Sequence, residues 1–529
     1  MRKGKTLGIR LMVTMACLFL IAACGGGGGG TTTTTGSGGG GTTTETATIS
    51  GSVSGTTIVA VNDSGDIVAS DDTAGKTPDA NGDYPFTLTG VPVGQNIRVY
   101  LITQGGIYPM YFDSNGYTNV FSLASSTTIN LGFVDTDTTG QEGKAIPQNN
   151  PTDYPEVSGG AENPDIPATI TNPEPPAGSS LNQLITDGLE AVSNGWTLKA
   201  RNYFKAAVDM LDGSEAQNDA DTARFFYALT RVAAISADTF SDGTPGDMSS
   251  LGDILDRCGS LTSVTARANW DAIECSDPLP SDTPDGSDLQ TFLYEVIRLE
   301  IEGAIADLGT VSQDFNKQWR EPSSDDTIVE SDYGDALFFK SALEGLAANL
   351  YILNAYNLDA DIAAEANDHS GTTADFLSNY PGFLSLSTSY NDNLTNAKSY
   401  YSDALDDLKA AIDVMAAETD AQDNDLINLG DMTPSEIADA KTDIANYKAS
   451  LDSATTVDDN GTPSDTSDDA IIDLSIFFAG LDFRTPNLLP TYNGNTPGLF
   501  PDETLGGVFV QGSEVNEDLN SDGIPDILQ

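Results

Sequence analysis

A proline-rich segment divides the sequence into two parts whose residue patterns do not fit one continuous fold. Short runs rich in β-branched residues precede this segment, and apolar residues at helical spacing follow it. Proline removes a backbone donor and holds the chain extended, so the segment at 139–180 is predicted to be a linker. Its prolines are Pro147, Pro151, Pro155, Pro164, Pro167, Pro173, Pro175 and Pro176. The sequence therefore predicts a multidomain protein: a small antiparallel β-sandwich, a mostly α helical-hairpin domain and an irregular C-terminal extension.

The first residues have the pattern of an export signal that ends in a lipid-modified cysteine. A basic stretch precedes an apolar run, Leu11 to Ala23, which is too short to span a membrane. The run ends in Ile21-Ala22-Ala23-Cys24, which resembles the lipobox of bacterial lipoproteins and implies a lipid on Cys24. An ordinary secretory signal that happens to contain this cysteine is the alternative.

The residues after Cys24 predict the location of the folded part relative to the membrane. Gly25 resembles the default signal for sorting to the outer membrane. Residues 24–44 are rich in glycine and threonine and form a predicted flexible tether behind the signal peptide, 1–23. We expect an exported protein that is anchored by its lipid at the cell envelope, in the outer membrane, with the folded part held away from the bilayer.

The acidic composition limits the classes of partner. The chain has 79 acidic and 23 basic residues and a formal net charge of −56. Such a surface repels phosphate backbones and anionic lipid head groups, so we expect no nucleic-acid partner and membrane contact through the lipid anchor only. Two interpretations of the acidity remain: binding of divalent cations, and solubility in salty surroundings. Solubility is favoured for most of the carboxylates.

Residues 45–138 have the texture of a β domain, with short runs of Val, Ile, Thr and Tyr between turn residues. The segment "DANGDYPFTLTGVPVGQNIRVYL" resembles the carboxypeptidase regulatory-like domain, a transthyretin-like sandwich that is non-catalytic in that family. Pro85 departs from the family pattern. The matching positions are Gly51 and Val53 in an opening strand, Asn81-Gly82 in a turn, Phe86 and Leu88 facing inward, Gly90, Val91 and Gly94 in the next turn, and Val99 facing inward.

Residues 181–453 have helical periodicity, and their start resembles a tetratricopeptide (TPR) repeat. Two helices are predicted around a turn at Asn194-Gly195, with Leu184 and Gly188 in the first helix and Ala200, Phe204 and Ala207 in the second. Small residues let two helices approach, and the aromatic ring fills the space beside them. The residue pattern of the second helix recurs six TPR repeat lengths further along the chain, at Ala404, Leu408 and Ala411. Long helices are also predicted at 287–308 and 332–356.

Two cysteines of the folded part predict a disulfide. Cys17 would leave with the signal and Cys24 would carry the lipid, which leaves Cys258 and Cys275. In an exported protein such a pair is most simply a disulfide, and closing this loop would stabilise the fold by about 3 kcal/mol. A zinc site is the weaker alternative, because the chain has one histidine and no CxxC motif.

The C-terminal extension, 454–529, contains a loop with the spacing of a calcium site. Calcium requires six to eight oxygen ligands, and D-x-N-x-D-G supplies three side chains before a sharp turn at Gly523. The predicted ligands are Asp518, Asn520, Asp522, the carbonyl of Ile524, and Asp526. The loop resembles dockerin and thrombospondin type 3 calcium loops, since Gln529 stands where an EF-hand has glutamate. An Asp/Gly turn is the alternative to a structural calcium.

Two further features of the extension yield hypotheses. An acidic loop offers a second, irregularly spaced set of cation ligands: Asp458, Asn460, Asp465, Asp468 and Asp469. The apolar residues at 476–478 and 499–500 predict that the extension lies against the helical domain, because they need cover from water.

Catalytic motifs are few in this sequence. His369 is the only histidine and stands in a polar loop, and no GxxxxGK[ST], GxGxxG or HExxH motif occurs in the folded part. A pair of carboxylates suffices for a glycosidase, but pairs carry no information among 79 acidic residues. We therefore predict a non-enzyme, with a carboxylate-pair hydrolase as an alternative.

The favoured function is a cell-envelope lipoprotein that binds or scaffolds a protein or peptide partner, the general use of helical repeats. The sandwich would be a spacer. A surface polysaccharide-binding lipoprotein is the other alternative and requires exposed aromatic platforms. Its candidates are Trp196, Trp270, Trp319 and the tyrosine-rich segment at 399–405.

The lipid anchor leads to a first testable prediction. Mass spectrometry of membrane fractions should find a lipidated Cys24 at the mature N-terminus, and Cys24→Ser should release the chain from the membrane because the thiol is the attachment point. The matched variant Cys17→Ser lies inside the signal and should leave the modification intact. An unmodified soluble wild-type protein would contradict the anchor.

Overall fold

The structure is a computed structural model, and it describes the following residues. They are 46–53, 57–64, 66–72, 76–78, 83–103, 106–111, 119–122, 128–135, 145–149, 157–158, 170, 174–193, 196–237, 248–259, 278–320, 328–367, 372–419, 424–429, 432–458, 466, 469–484, 487–511, 515–516, 521 and 523–525. The predicted export signal, Cys24 and the tether lie outside these residues and stay predictions.

Two sheets form the N-terminal part of the structure. Their strands are β1 (Thr46–Val53), β2 (Thr57–Asn62), β3 (Ile67–Asp72), β4 (Tyr84–Pro92), β5 (Asn96–Thr103), β6 (Gly106–Pro109), β7 (Val120–Ser122), β8 (Thr128–Asp135), β9 (Ile146–Pro147) and β10 (Val157–Ser158). The first sheet has the order β4-β1-β8-β9, and the second has β10-β7-β5-β2-β3 with β6 beside β5. The described pairs are antiparallel, except that β1 and β8 run parallel.

The two sheets share one apolar core, because alternate residues of each strand point to the same side. Ile49, Leu88 and Ile129 from the first sheet and Ile58 and Val99 from the second belong to one buried cluster. Full burial of a side chain of this size stabilises the fold by about 1.5–3 kcal/mol. The inward positions predicted from the sequence, Phe86, Leu88 and Val99, are confirmed as buried, and Val53 is buried in the opening strand β1. The turn predicted at Gly90 and Val91 is wrong, because both residues lie on β4 and Val91 points into the core.

Gly51 and Pro85 are explained by their places in the first sheet. A Cβ on Gly51 would lie 2.6 Å from the carbonyl oxygen of Gly132 and 2.7 Å from Cε1 of Phe86, so no side chain fits there. Pro85 lies on β4, the edge strand, where a missing N–H removes no ladder hydrogen bond. The edge position therefore accommodates the residue that departs from the family pattern.

The described parts of the proline-rich segment add strands to the sheets. β9 pairs with β8, and β10 pairs with β7. Ala145 forms an isolated bridge with Met110, and Ile170 packs in a buried cluster with Val59 and Tyr100. The segment predicted only as a linker thus also covers part of the sheet region.

The rest of the structure is mostly helical. Its helices are α1 (Leu181–Ser193), α2 (Thr197–Asp209), α3 (Gln217–Ala237), α4 (Leu251–Arg257), α5 (Gly286–Phe292), α6 (Arg298–Leu308), α7 (Tyr333–Ala355), α8 (Ile362–Asn367), α9 (Thr373–Asn379), α10 (Tyr390–Met415), α11 (Pro434–Ser450) and α12 (Leu474–Phe478). A π-helical turn, Leu293–Ile297, joins α5 to α6. The hairpin β11 (Asn316–Arg320) and β12 (Ile328–Asp332) precedes α7. The long helices predicted at 287–308 and 332–356 are confirmed.

The first helix pair packs as its residue pattern predicts. Gly188 on α1 faces Phe204 on α2, and Leu184 on α1 packs in a buried cluster with Tyr203 and Ala207 of α2. A Cβ on Gly188 would lie 2.8 Å from Cζ of Phe204, so glycine is what lets the ring lie against the helix. Ala200 and Ala207 are fully buried beside this ring. The two predicted helices and their contact are therefore confirmed.

The later copy of this pattern has a different setting. Ala404 and Ala411 are buried on α10, and Leu408 is partly buried. The main neighbour of α10 is α7, which is separated from it in sequence by α8 and α9. The later pattern thus lies in a long-range helix pair, whereas the first lies between two helices that are consecutive in the chain.

Helix α7 is central to the helical region. It packs against both α6 and α10. Asp332 and Asp335 form a capping box at its start. By length and composition α7 is the one described helix that could cross a membrane, and half of its apolar window is buried inside the protein. Its apolar composition is explained by these helix neighbours.

The C-terminal extension packs against the helices through α12. Phe477 lies 6.3 Å from the ring of Tyr356, and Phe478 lies 6.0 Å from the ring of Tyr401. The extension also has strands β13 (Thr455–Asp458), β14 (Ala470–Ile472), β15 (Tyr492–Asn493), β16 (Thr496–Pro497) and β17 (Phe509–Gln511). The predicted cover is confirmed for these phenylalanines, but it is wrong for Leu499, whose side chain is 55% exposed.

The contact between Gly188 and Phe204 leads to a second prediction. Gly188→Ala should destabilise the helical region by about 1–3 kcal/mol, because the new methyl group overlaps the buried ring. Urea unfolding followed by helical circular dichroism measures the change.

A second helical glycine is the matched control for this variant. Gly345 on α7 has open space at its Cβ position, so Gly345→Ala should be neutral or stabilise by up to about 1 kcal/mol through helix propensity. Equal effects of the two substitutions would contradict the proposed close approach.

Candidate functional site

The C-terminal loop predicted to bind calcium is described in part. Asp518, Asn520, Asp522 and Asp526 lie outside the described residues. Ser521 and Gly523 have left-handed backbones, with φ of 60° and 87°, and Ile524 is half-buried. Alternating left-handed residues turn the chain sharply, as a ligand loop requires, although an Asp/Gly turn has the same need. Calcium stays a prediction.

The second acidic loop connects strands β13 and β14. β13 and β14 are antiparallel, and Asp458 pairs with Ala470 across them. Asp458 and Asp469 therefore stand at the two ends of the loop, while Asn460, Asp465 and Asp468 lie outside the described residues. In the described part of the chain, no group of three or more His, Cys, Asp or Glu side chains is arranged to hold a metal ion.

The predicted disulfide is also described on one side only. Cys258 directly follows α4, and its backbone N–H donates to the carbonyl oxygen of Ile254 at 2.9 Å. Cys275 and the loop histidine His369 lie outside the described residues. The Cys258–Cys275 bridge therefore stays a prediction.

The aromatic candidates for sugar binding have mainly packing roles where they are described. Trp319 packs edge-on against Phe226 at 5.3 Å, and its indole N–H donates to Oγ of Ser331 at 2.9 Å. Trp196 is half-buried beneath the ammonium of Lys199, 4.4 Å from the ring centre. Trp270 lies outside the described residues. Both described tryptophans are half-buried and pack against the apolar core of the helical region.

The tyrosines are brought together around an ion pair where three helices meet. Arg298 and Glu302 are one turn apart on α6, and their Nη1 and Oε2 atoms are 2.7 Å apart. The guanidinium lies 4.2 Å from the ring centre of Tyr294, which belongs to the π-helical turn. Such turns recur at functional sites, so this group is the strongest candidate site among the described residues. We call it the tyrosine cluster, with members Tyr294, Arg298, Glu302, Tyr351 and Tyr400.

The tyrosine hydroxyls bind to the carboxylate inside this cluster. Tyr351 on α7 donates to Oε1 of Glu302 at 2.7 Å, and Tyr400 on α10 donates to the same atom at 3.2 Å. The two rings stack with centroids 5.7 Å apart. Burial, and then the negative charge of Glu302, raise the pKa of Tyr351 to about 12. The same causes raise the pKa of Tyr400.

The chemistry open to the tyrosine cluster follows from these contacts. With raised pKa values, both hydroxyls are protonated at neutral pH and act as donors to Glu302. A nucleophile or a general base needs a pKa near the working pH, which these tyrosines do not have. The arrangement is suited to holding α6, α7 and α10 together, and its exposed edges can offer ring surface to a partner.

The sequence contains one local signal for this cluster. Arg298 and Glu302 have the i, i+4 spacing of a helical ion pair within an apolar helix. The long-range partners Tyr351 and Tyr400 could not be predicted, because their proximity depends on how α7 and α10 pack.

The chain matches no protein-family model, and comparison with the curated proteins and with the solved structures finds no significant similarity.

The C-terminal loop leads to a third prediction. Titration calorimetry of the full chain with calcium should show binding with a Kd on the order of 0.1–1 mM, as in extracellular modules. Asp518→Ala combined with Asp522→Ala should abolish this heat, because both side chains are predicted ligands. Asp392→Ala combined with Asp403→Ala, which removes two exposed carboxylates on α10, is the charge-matched control and should leave the heat unchanged. Identical heats for all three proteins would rule out the loop as the site.

Proposed function

We propose that this chain is a non-catalytic lipoprotein of the cell envelope that binds or scaffolds a protein or peptide partner. The lipobox-like residues Ile21 to Cys24 and the tether behind them support anchoring, with the outer membrane as the destination. The β part then acts as a spacer with a transthyretin-like, carboxypeptidase regulatory-like fold. Structural calcium in the C-terminal loop pins the end of the chain.

The observation that carries the binding role is the array of helices packed side by side. α1 packs on α2, α2 on α3, α3 on α6, α6 on α7, and α7 on α10. Its first pair has the tetratricopeptide-like contact between Gly188 and Phe204. Arrays of this kind offer an extended surface to a partner, and we assign the binding surface to the helical region for that reason.

The contacts of the ionisable groups support a non-catalytic role. Arg231 on α3 donates to Glu300 at 2.8 Å and to Asp307 at 3.1 Å, so its charge joins two helices. Glu302 is likewise occupied by Arg298 and two tyrosines. These charged groups are paired with one another, whereas a hydrolase needs two carboxylates that face a common substrate.

Photo-crosslinking in intact cells tests this function and is our fourth prediction. A crosslinking residue at Leu299 on α6 or Leu353 on α7, with exposures of 50% and 38%, should capture a defined envelope protein in the membrane fraction. Both side chains reach solvent, so the probe should not disturb the core.

The control position for this experiment lies in the β part. Ile67 on β3 is 42% exposed, and a probe there should give no adduct if the β part is a spacer. Adducts at Ile67 alone, or turnover of a substrate by the purified chain, would overturn the proposed function.

A further inference from the structure

A buried charged group lies in the contact between α7 and α10. Lys340 and Glu344 are one turn apart on α7, and Nζ of Lys340 is 2.9 Å from Oε1 of Glu344. The same ammonium is hydrogen-bonded to Oδ2 of Asp407 on α10. Two carboxyl groups on facing helices thus share one cation.

The carboxyl group of Glu344 lacks part of its hydrogen bonding in this group. Its side chain is 4% exposed, and its second oxygen, Oε2, has no hydrogen-bond partner and no contact with solvent. A buried oxygen without a partner is costly, and more so when it carries charge. One ammonium cannot neutralise two carboxylates, so the group holds one excess negative charge when both are ionised.

The helices around this group are in close contact. Ser341 donates its hydroxyl to the carbonyl oxygen of Ala404 at 2.7 Å, which ties α7 to α10 next to Glu344. Ala348 on α7 and Ala397 on α10 are fully buried in one cluster further along. Glu344 is therefore covered by the two closely packed helices, while Lys340 and Asp407 are each about one-fifth exposed at the edge of the contact.

We infer that the contact between α7 and α10 is a proton-dependent joint, tight when Glu344 is protonated and loosened when Glu344 ionises. A proton on Glu344 removes the excess charge and leaves Lys340 and Asp407 as a balanced pair. Loss of that proton leaves two carboxylates on one ammonium inside the contact. The charged groups that act on Glu344 are Lys340 from its own helix and Asp407 from α10.

The direction of the pH dependence follows from burial. Burial raises the pKa of Glu344 from 4.5 to about 7, with Asp407 adding to the rise and Lys340 opposing it. A carboxyl group whose pKa is higher in the folded state stabilises the fold fully below about 4.5. That contribution falls as pH rises and is lost once pH passes the folded-state pKa, so the joint is loose above about pH 7.

Our fifth prediction compares urea unfolding of the full chain, followed by helical circular dichroism, between pH 5 and pH 8. The unfolding equilibrium constant of the wild type, divided by that of Glu344→Gln, should rise about tenfold per pH unit up to pH 7 and then level off. Glutamine has the same shape without the titration. The other carboxyl groups, including the buried Asp335 at the start of α7, are present in both proteins and cancel in the ratio.

Two further variants keep the test decisive if Glu344→Gln does not fold. Asp407→Asn leaves one carboxylate for one ammonium, so the pH dependence of the wild type should move to lower pH. Asp403→Asn, an exposed residue on the same helix, should leave the curve unchanged. The joint would be refuted by a constant ratio for Glu344→Gln, or by equal effects of the two aspartate variants.

Discussion

The helical region depends on close approach between helices, which small residues at the contacts allow. Gly188 lets the ring of Phe204 lie against α1, and Gly303 leaves room for the guanidinium of Arg231 across α6. Ala348, Ala397 and other alanines at the contacts around α7 are fully buried. When backbones are this close, a polar group in the contact must find its hydrogen-bond partners within the contact. Ser341 and Glu344 are polar groups of this kind.

Charge distribution imposes a second constraint. The chain has 23 basic residues against 79 acidic ones. Several of the basic side chains join different helices: Arg231 joins α3 to α6, Lys340 joins α7 to α10, and Lys441 joins α11 to α10. An exposed pair such as Lys441 with Asp413 stabilises by no more than about 1 kcal/mol, whereas the pairs of Arg231 and Lys340 are partly buried. In a chain with so few basic residues, such pairs favour contact between the helices that they join.

Residue patterns predicted the order of the domains and much of the local structure. The resemblance noted for the β domain predicted that Phe86, Leu88 and Val99 face inward. Helical spacing predicted α1, α2 and α7, because this pattern depends on neighbours in the chain. The parallel pairing of β1 with β8 and the strands within the proline-rich segment were not predicted, since both depend on contacts between distant residues. The tyrosine cluster was missed for the same reason: Glu302 meets Tyr351 and Tyr400 only after three helices pack.

The π-helical turn at Leu293–Ile297 determines the directions in which the side chains of α6 point. A π turn contains about one residue more than an α turn, and each residue of an α-helix advances the side-chain direction by about 100°. Shortening this turn by one residue would swing Arg298 and Glu302 away from α7, and Glu300 and Asp307 away from Arg231. One inserted position in a continuous helix thus sets the angular alignment of two separate charge networks.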